Sequence, residues 1–442
     1  MKVHILAITG SMTTPLAIEL ANHGHIVTGS DQEAIYPPFS TLLTKNNIPV
    51  NKNKINQSID LCIIGGSYKN FTQCVKELKQ IKKLKIPYIS ATKYMAQNIA
   101  KRESILVAGS FGKTTISSLL VWIFKKAKIH PSYMFGGQSL NKLPSLKITN
   151  SNWSILEACE SINGLDTQAK FLYYPAKYVI LTSVNWEHKE SYKTKNDNLN
   201  AFKKLIKNIP KNGLLVYNPS QAKILPLLKF CKAPVIPYNP KFQFKNNLLG
   251  QYNAKNISAA ATLCFHLGIN IKTIKKAISS YKGIKRRLEL ITKTKNILFF
   301  DDFAQSPPRV KSSINAVKSK YPNSTIKVFF EPHAHFLQNK KTIDQLKQSF
   351  KNCQEVILSK IPFKKPSVSE VRLWRKTRVT AKYYKNTIGQ KLKYIPIYPN
   401  IYTHYIKTLS NNDILIHMSS GGLTGIQTFN KIIKHFKHPT SS

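Results

Sequence analysis

Residues 104–126, SILVAGSFGKTTISSLLVWIFKK, contain the side chains in this sequence that are best suited to binding a nucleoside triphosphate. An apolar run is followed by a glycine-containing loop that carries Lys113 and Thr114. Backbone amides of such a loop can face phosphate oxygens, a lysine adds positive charge, and a threonine hydroxyl can reach Mg²⁺. The residues expected to bind the phosphates are Gly109, Ser110, Phe111, Gly112, Lys113, Thr114 and Thr115.

Apolar residues on both sides of this loop indicate which elements hold it. Residues 105–108 predict a strand, and apolar residues after the loop recur with the period of an α-helix. The spacing G-x-x-G-K-T-T is shorter than that of a full P-loop, because Val107 stands five positions before Gly112. A structural strand–turn–helix with an incidental Lys-Thr is the alternative. The order of strand, loop and helix favours phosphate binding.

The chain is strongly basic. Its 442 residues include 67 Lys and Arg against 20 Asp and Glu, which gives a formal net charge of +47 at pH 7. Such a charge suits a nucleic-acid or anionic-membrane partner. The lysines are spread along the whole chain, however, whereas a nucleic-acid footprint should cluster. We therefore favour a general bias in composition and do not expect a nucleic-acid partner. The length predicts two to four domains.

Cysteine usage and the N-terminal segment both favour a cytoplasmic protein. The six cysteines are scattered without a C-x-x-C pair, which is typical of reduced thiols. Polar residues such as His4 and Thr9 interrupt the apolar run at the N-terminus, so it predicts a first strand and helix rather than a signal peptide. No segment reaches the roughly 18 apolar residues needed to span a bilayer. We expect neither a membrane partner nor an obligate protein partner.

Strand-like and helix-like runs alternate along the chain. This alternation predicts parallel sheets flanked by helices, an α/β fold. A strand is expected at residues 178–184, and residues 282–287 are expected to form a hinge. The three regions of alternation are residues 1–98, 99–287 and 288–442.

Six short strings occur in an order that resembles the Mur ligase family, ATP-dependent amide-forming enzymes of peptidoglycan synthesis. The resemblance spans essentially the whole chain and implies three α/β domains. These are an N-terminal Rossmann-like domain that binds a UDP-sugar (1–98), a central P-loop ATPase-like domain with a parallel sheet that binds ATP (99–287), and a C-terminal Rossmann-like ligase domain (288–442). The strings are AGSFGKTT at 108–115, ILEACE at 155–160, NWEH at 185–188, GQYNAKN at 250–256, RRLEL at 286–290 and DDFAQSPP at 301–308.

Other strings resemble the branch of the family that joins L-alanyl-γ-D-glutamyl-meso-diaminopimelate to UDP-N-acetylmuramate. YPP followed by STLL is the main reason for preferring this branch to the branch that adds L-alanine, which is the alternative. The resemblance implies ATP and Mg²⁺ as cofactors, and UDP-N-acetylmuramate and a peptide as substrates. The strings are GHIVTGSD at 24–31, YPPFSTLL at 36–43, FFEPH at 329–333 and MSSGGLTGI at 418–426.

The resemblance also assigns roles to individual side chains around the phosphate loop. Lys113 would bind the β- and γ-phosphates, Thr114, Glu157 and His188 would ligate Mg²⁺, and Lys113 and His188 would be catalytic. From the residues alone, the position of Glu157 after an apolar strand favours a functional carboxylate over a strand-end surface carboxylate, which is the alternative. A lone histidine is usually structural, so only the resemblance favours a ligand role for His188. The weaker candidates are Glu160 and Glu187.

The remaining assignments lie outside the phosphate loop. Asn253 matches a position near adenine, although it also suits a helix cap. Arg287 and Asp302 match positions that meet the phosphate and ribose of ATP. In the N-terminal domain the substrate-binding residues would be Gly10, Ser30 and Asp31, with the last two near the uridine. A plain strand-to-helix turn is the alternative for those two.

Several polar residues of the family pattern are replaced in this chain. The N-terminal Gly-Gly is Thr14-Pro15, and Pro15 lacks an amide donor that a phosphate could use. These replacements motivate a third hypothesis, a drifted, non-catalytic basic binding protein that keeps the scaffold. The other replacements are Phe111, Cys159, Asn185, Tyr252, Gln305 and Ser306.

Overall fold

The computed structural model confirms an α/β chain built on three mostly parallel sheets. It divides into two compact units. The first unit comprises Met1–Asn247 and Asn253–Ile284, and the second comprises Leu248–Tyr252 and Lys285–Ser442. The structure describes residues 1–32, 35, 38–52, 55–162, 164–186, 191–238, 244–333, 337, 340–362 and 379–437. Two candidate residues, Glu187 and His188, lie outside the described residues.

The first sheet of the first unit has the strand order β2-β1-β3-β4, and all its strand pairs are parallel. Its strands are short and largely buried, as parallel strands covered by helices on both faces must be. His4 lies in the middle of β1, and its ring nitrogens contact Thr28 Oγ1 at 2.7 Å and Ser30 Oγ at 3.0 Å. The elements are β1 (Lys2–Leu6), α1 (Thr13–Asn22), β2 (Ile26–Ser30), α2 (Phe39–Lys45), β3 (Leu61–Ile64), α3 (Thr72–Lys83), β4 (Tyr88–Ser90) and α4 (Ala91–Asn98).

The second sheet of the first unit has the order β11-β10-β9-β5-β8-β6-β7. Strand β5 lies between β9 and β8, and both pairings are parallel, so the loop after β5 emerges at the middle of the carboxyl edge. The elements are β5 (Glu103–Ala108), α5 (Lys113–Lys126), β6 (Ser132–Met134), β7 (Leu146–Lys147), β8 (Trp153–Ala158), β9 (Tyr178–Leu181), α6 (Lys195–Lys207), β10 (Leu214–Tyr217), α7 (Leu225–Leu228), β11 (Val235–Pro237), α8 (Gln251–His266) and α9 (Ile271–Ser280).

A buried carboxylate joins the two sheets of the first unit. Glu19 of α1 is only 2% exposed, and its Oε1 accepts a hydrogen bond of 2.8 Å from the backbone N–H of Ile148. The ammonium of Lys147 lies 3.2 Å from the same oxygen. Because β7 is an edge strand, Glu19 satisfies backbone that the sheet itself leaves unpaired there.

The sheet of the second unit has the order β12-β13-β17-β14-β15-β16. Strand β12 runs antiparallel to β13, and the other strand pairs are parallel. Apolar clusters cover both faces of this sheet. The elements are β12 (Glu289–Thr294), β13 (Ile297–Asp302), α10 (Pro307–Lys320), β14 (Thr325–Glu331), α11 (Lys340–Ser349), β15 (Glu355–Leu358), α12 (Ala381–Ile388), β16 (Leu392–Tyr394), α13 (Tyr398–Thr408), β17 (Asp413–Ser419) and α14 (Leu423–Lys437).

Strand β9 is shorter in the structure than the sequence pattern predicts. The strand expected at 178–184 ends at Leu181. The next residue, Thr182, donates its hydroxyl to the carbonyl of Ala108 at the end of β5 and to that of Phe111 in the phosphate loop. The boundary between the two units falls within residues 282–287, where the hinge is expected. The domain boundaries at residues 98 and 287 stay predictions. In the part of the chain that the structure describes, no helix is both long and apolar enough to cross a membrane.

Candidate active site

The loop between β5 and α5 depends on two glycines. Gly109 has φ of +120° and Gly112 has φ of +80°, a left-handed conformation that side chains disfavour. A Cβ atom on Gly109 would lie 2.2 Å from Thr182 Oγ1, and one on Gly112 would lie 2.4 Å from Asn256 Oδ1. The turn is therefore closed by α8 and by the segment after β9. Neither contact could be predicted from the local sequence pattern, because both partners are distant along the chain.

Residues that follow β9 hold the middle of the loop. The backbone N–H of Ser110 donates to Ser183 Oγ at 3.1 Å, and the Ser110 hydroxyl donates to the carbonyl of Asn185 at 3.1 Å. The Thr182 hydroxyl donates to the carbonyl of Phe111 at 2.6 Å. The TSVN string at 182–185 thus fixes the loop backbone. The only indication of this role in the sequence is that the string places polar residues directly after an apolar strand.

The Lys113 ammonium lies under the loop, where it donates to the carbonyl of Gly109 at 2.5 Å and to Glu160 Oε2 at 3.0 Å. Burial acts to lower the pKa of Lys113. The negative charge of Glu160, with smaller effects of Cys159 and Glu157, outweighs burial and raises that pKa. Lys113 therefore carries a fixed positive charge at the start of α5, the end of a helix that favours anions.

Glu160 is the carboxylate that contacts Lys113, although the sequence ranks it below Glu157. It is fully buried, and the Tyr192 hydroxyl donates to its backbone carbonyl. Among the described residues its Oε1 has no hydrogen-bond partner. Because Glu160 follows β8 and Lys113 follows β5, the parallel pairing of these strands brings the two charges together.

Two oxygen ligands suited to Mg²⁺ meet beside this ion pair. The Thr114 hydroxyl donates to Glu157 Oε1 at 3.1 Å, and the Gly136 N–H donates to Glu157 Oε2 at 2.7 Å. A hydroxyl and a carboxylate are hard ligands of the kind that Mg²⁺ binds, so the residues fit this metal. In the described ranges no group of three or more His, Cys, Asp and Glu side chains forms a metal cluster, and His188 lies outside them.

Helix α8 brings Asn253 towards the phosphate loop. Asn253 is 5% exposed, and its Oδ1 accepts a hydrogen bond of 3.2 Å from Asn256 Nδ2. Asn256 in turn contacts Gly112. Thr115, the last residue assigned to the phosphates, has its carbonyl bonded by the Ser118 hydroxyl at 3.1 Å. The adenine role of Asn253 stays a prediction.

The second unit brings Arg287 and Asp302 together. Asp302 is buried at the end of β13 and accepts a hydrogen bond from the Ser313 hydroxyl. Burial raises the pKa of Asp302, while Ser313 and Arg287 partly offset this effect. The Arg287 guanidinium lies 5.4 Å from the centre of the Phe303 ring. Their contacts to ATP stay predictions.

A buried histidine that the sequence pattern did not indicate, His417, joins the strand ends in the second unit. The ring nitrogens of His417 lie 3.0 Å from Asp301 Oδ1 and 2.8 Å from Glu331 Oε2. Burial acts to lower the pKa of His417, but the two carboxylates outweigh burial and raise it. Burial acts to raise the pKa of Glu331, but His333 and His417 lower it to about 2. The raised pKa favours the imidazolium form of His417 between the carboxyl groups of Asp301 and Glu331.

The three N-terminal candidates form part of one strand-end network. Gly10 donates its N–H to Thr13 Oγ1 at 3.1 Å, and the Ser30 hydroxyl contacts His4 Nε2 at 3.0 Å. Asp31 is 1% exposed, and its Oδ2 accepts a hydrogen bond of 2.7 Å from the Thr9 N–H. These contacts organise the loop between β1 and α1. The substrate role of Gly10, Ser30 and Asp31 stays a prediction.

Comparisons with known proteins agree with this geometry. The sequence model described as "Mur ligase middle domain" matches residues 107–241, and that of "Mur ligase family, catalytic domain" matches residues 2–103. Together they cover more than half of the chain. The first model includes the phosphate loop, Glu157 and Glu160.

Similar proteins with two different activities span the full length of the chain. The UDP-N-acetylmuramate–L-alanine ligase of Desulfitobacterium hafniense is 24% identical, covering 96% of this chain and 98% of its own. The UDP-N-acetylmuramate–L-alanyl-γ-D-glutamyl-meso-2,6-diaminoheptanedioate ligase of Escherichia coli is also 24% identical, covering 96% of each chain. The crystal structure of a murein peptide ligase from Psychrobacter arcticus has the same fold, with a TM-score of 0.72 and 23% identity over all of both chains.

Replacing Gly112 tests the turn. Gly112→Ala should lower affinity for ATP by at least about tenfold, because its Cβ would press on Asn256 and distort the loop that holds the phosphates. The matched control is Gly268→Ala. Gly268 has φ of +81° with nothing within 4 Å of the added Cβ, so the control carries the backbone cost alone, about 1 kcal/mol. Calorimetric titration with ATP measures the affinity of each variant. Equal affinities of Gly112→Ala and Gly268→Ala for ATP would contradict this account of the turn.

Glu331 makes stability depend on pH. Its pKa falls from an ordinary 4.5 to about 2 on folding, so its contribution is present above pH 4.5 and is lost as the pH falls towards 2. Glu331→Gln should lower the free energy of unfolding by about 2 kcal/mol at pH 6 and flatten its decline between pH 4.5 and 3. Urea unfolding at each pH measures this. Asp344→Asn, at an exposed carboxylate in the same unit, is the control, and an unchanged pH profile for Glu331→Gln would refute the assignment.

Proposed function

This chain belongs to the Mur ligase family, ATP-dependent amide ligases of peptidoglycan synthesis, and we propose that it joins L-alanyl-γ-D-glutamyl-meso-diaminopimelate to UDP-N-acetylmuramate. The observation that carries the proposal is the convergence of Lys113, Thr114 and Glu157 at the glycine turn after β5. A point charge, a hydroxyl and a carboxylate in that arrangement suit the phosphates and the metal ion of ATP.

The reaction needs ATP because a carboxylate does not react with an amine. Transfer of the γ-phosphoryl group to a carboxylate oxygen of UDP-N-acetylmuramate gives an acyl phosphate and ADP. The amine lone pair then attacks the carbonyl carbon, phosphate leaves with the electrons of the C–O bond, and the amine nitrogen loses a proton. Positioning and charge neutralisation dominate such a phosphoryl transfer.

The loop residues divide these tasks. Lys113 neutralises charge on the β- and γ-phosphates. The carboxylate of Glu160 holds the Lys113 ammonium in place by accepting a hydrogen bond from it. Thr114 and Glu157 would hold Mg²⁺, with His188 as a further ligand. When bound, the metal ion neutralises charge on the transferring phosphoryl group. Asn253, Arg287 and Asp302 would complete nucleotide binding.

The sequence strings favour the peptide over L-alanine as the amine substrate. The strings around residues 24–43, 329–333 and 418–426 resemble the peptide-adding branch. A relative that adds the tripeptide matches 96% of the chain, which is compatible with this activity. The second candidate is the L-alanine-adding activity, because the relative from Desulfitobacterium hafniense matches the same share of the chain.

The substrates decide between the two activities. Purified protein with ATP, Mg²⁺ and UDP-N-acetylmuramate should release phosphate when the tripeptide is added and not when L-alanine is added. Release with L-alanine alone would establish the second candidate. No release with either amine, from folded protein that binds ATP, would favour the non-catalytic hypothesis.

Lys113→Ala should lower the rate of phosphate release by about 100-fold or more, because the transferring group loses a fixed positive charge. The substitution also leaves Glu160 buried without its partner, which is destabilising. The variant Lys113→Ala with Glu160→Gln removes that second effect. Thermal unfolding should recover in the double variant while activity stays lost, whereas activity retained by Lys113→Ala would refute the proposed role.

A further inference from the structure

Helices α6 and α7 contact each other, and the solvent-facing side of both is rich in lysine. The buried face of α6 carries Phe202, Leu205 and Ile206, so its lysines are left on the remaining face. No Asp or Glu occurs between Asp197 and Glu289, a stretch that includes most of α6 and all of α7. This part of the chain is therefore purely cationic.

Three lysines of this region converge on one aromatic ring. The ammonium groups of Lys203 and Lys207 lie 4.1 Å and 5.5 Å from the centre of the Phe230 ring, and the ammonium of Lys229 lies 5.5 Å from it. The first two lysines are one turn apart on α6, whereas Lys229 directly follows α7. Folding thus gathers charges that are scattered in the sequence. We call these three lysines and Phe230 the lysine cluster.

The lysine cluster has no acidic partner among the residues that the structure describes. No carboxylate oxygen of these residues lies within 4.0 Å of its ammonium groups, whereas Lys177 has Glu103 at 2.5 Å. Asp197 is at the start of α6, where it accepts a hydrogen bond of 2.9 Å from the Thr194 N–H. An aromatic ring attracts an exposed ammonium only weakly, and like charges one helical turn apart repel. Anions from outside the chain would relieve this repulsion.

An apolar side chain is exposed beside the lysine cluster. Leu225 is 48% exposed, and Pro226 is also exposed. Lys229 stands four residues after Leu225 and still has helical backbone angles, so the two side chains lie on the same side of the turn. Lysines and an apolar residue together suit the surface of an anionic bilayer, where headgroups attract the ammonium groups and the acyl boundary accepts the apolar group.

We propose that the lysine cluster and Leu225 dock this protein on the surface of a membrane that contains anionic phospholipids. The sequence predicts no membrane partner because it has no spanning segment, but contact at a bilayer surface needs none. A nucleic acid fits this surface less well. Lys203 covers a face of the Phe230 ring that a base would need for stacking, and Leu225 would gain nothing from a phosphate backbone.

Vesicle binding by the full-length protein tests this surface. Sedimentation is compared between vesicles of phosphatidylcholine alone and vesicles that also contain phosphatidylglycerol, at physiological ionic strength. The wild type should bind only the anionic vesicles. The triple variant Lys203→Gln, Lys207→Gln and Lys229→Gln should lower this binding by at least about tenfold, and Leu225→Gln should lower it by about threefold. Phosphate release measured without vesicles should stay at the wild-type rate in both variants, so this surface and the proposed function are tested separately.

The control is the triple variant Lys76→Gln, Lys79→Gln and Lys83→Gln, which removes the same charge from exposed positions of α3. It should bind anionic vesicles like the wild type. Equal losses in the two triple variants would overturn the surface in favour of a general charge effect, and so would a wild type that does not bind anionic vesicles. Unchanged vesicle binding by Leu225→Gln, together with binding of a single-stranded RNA oligonucleotide that needs the three lysines, would assign the lysine cluster to nucleic acid instead.

Discussion

A lysine ammonium buried beneath a glycine turn requires a carboxylate beside it. Lys113 and Glu160 meet this requirement at 3.0 Å, and the surrounding structure follows from bringing them together. Burial alone would favour an uncharged lysine, and an uncharged lysine would be of little use to a triphosphate. The parallel pairing of β5 with β8 delivers the two residues to one edge, and the segment after β9 supplies Thr182, Ser183 and Asn185 to hold the loop above them. The site is thus a consequence of strand order.

The local part of this arrangement could be predicted from the sequence. Strand, loop and helix are consecutive in residues 104–126, so apolar periodicity and two glycines suffice to place Lys113 at the start of α5. Thr182 and Asn256 could not be found in this way, because they lie about 70 and 140 residues from the glycines they contact. Periodicity reports which face of an element is buried and not which distant element covers it.

The same limit explains two sets of contacts that the sequence did not indicate, those of Glu160 and of His417. Glu160 lies beyond the end of β8 in a segment with no regular pattern, so only the fold shows that it, and not Glu157, contacts Lys113. His417 lies within the apolar run of β17, and a single polar residue in such a run does not by itself indicate a buried ion pair. Its two carboxylate partners are 116 and 86 residues away along the chain.

The distribution of acidic residues bears on the high positive charge. The chain has only 20 Asp and Glu, yet among the described residues nine of them are buried, including Glu19, Glu160 and Glu331. Each of these three accepts hydrogen bonds or neutralises a cation. Losing such an acid would leave a buried donor or cation unpaired, which costs about 1–5 kcal/mol of stability. The bias towards lysine has therefore left acids at these buried positions. Surface positions carry no such penalty, so the excess charge accumulates there without changing the fold. ATP and UDP-N-acetylmuramate, the two proposed nucleotide substrates, are polyanions, and a basic surface raises their local concentration.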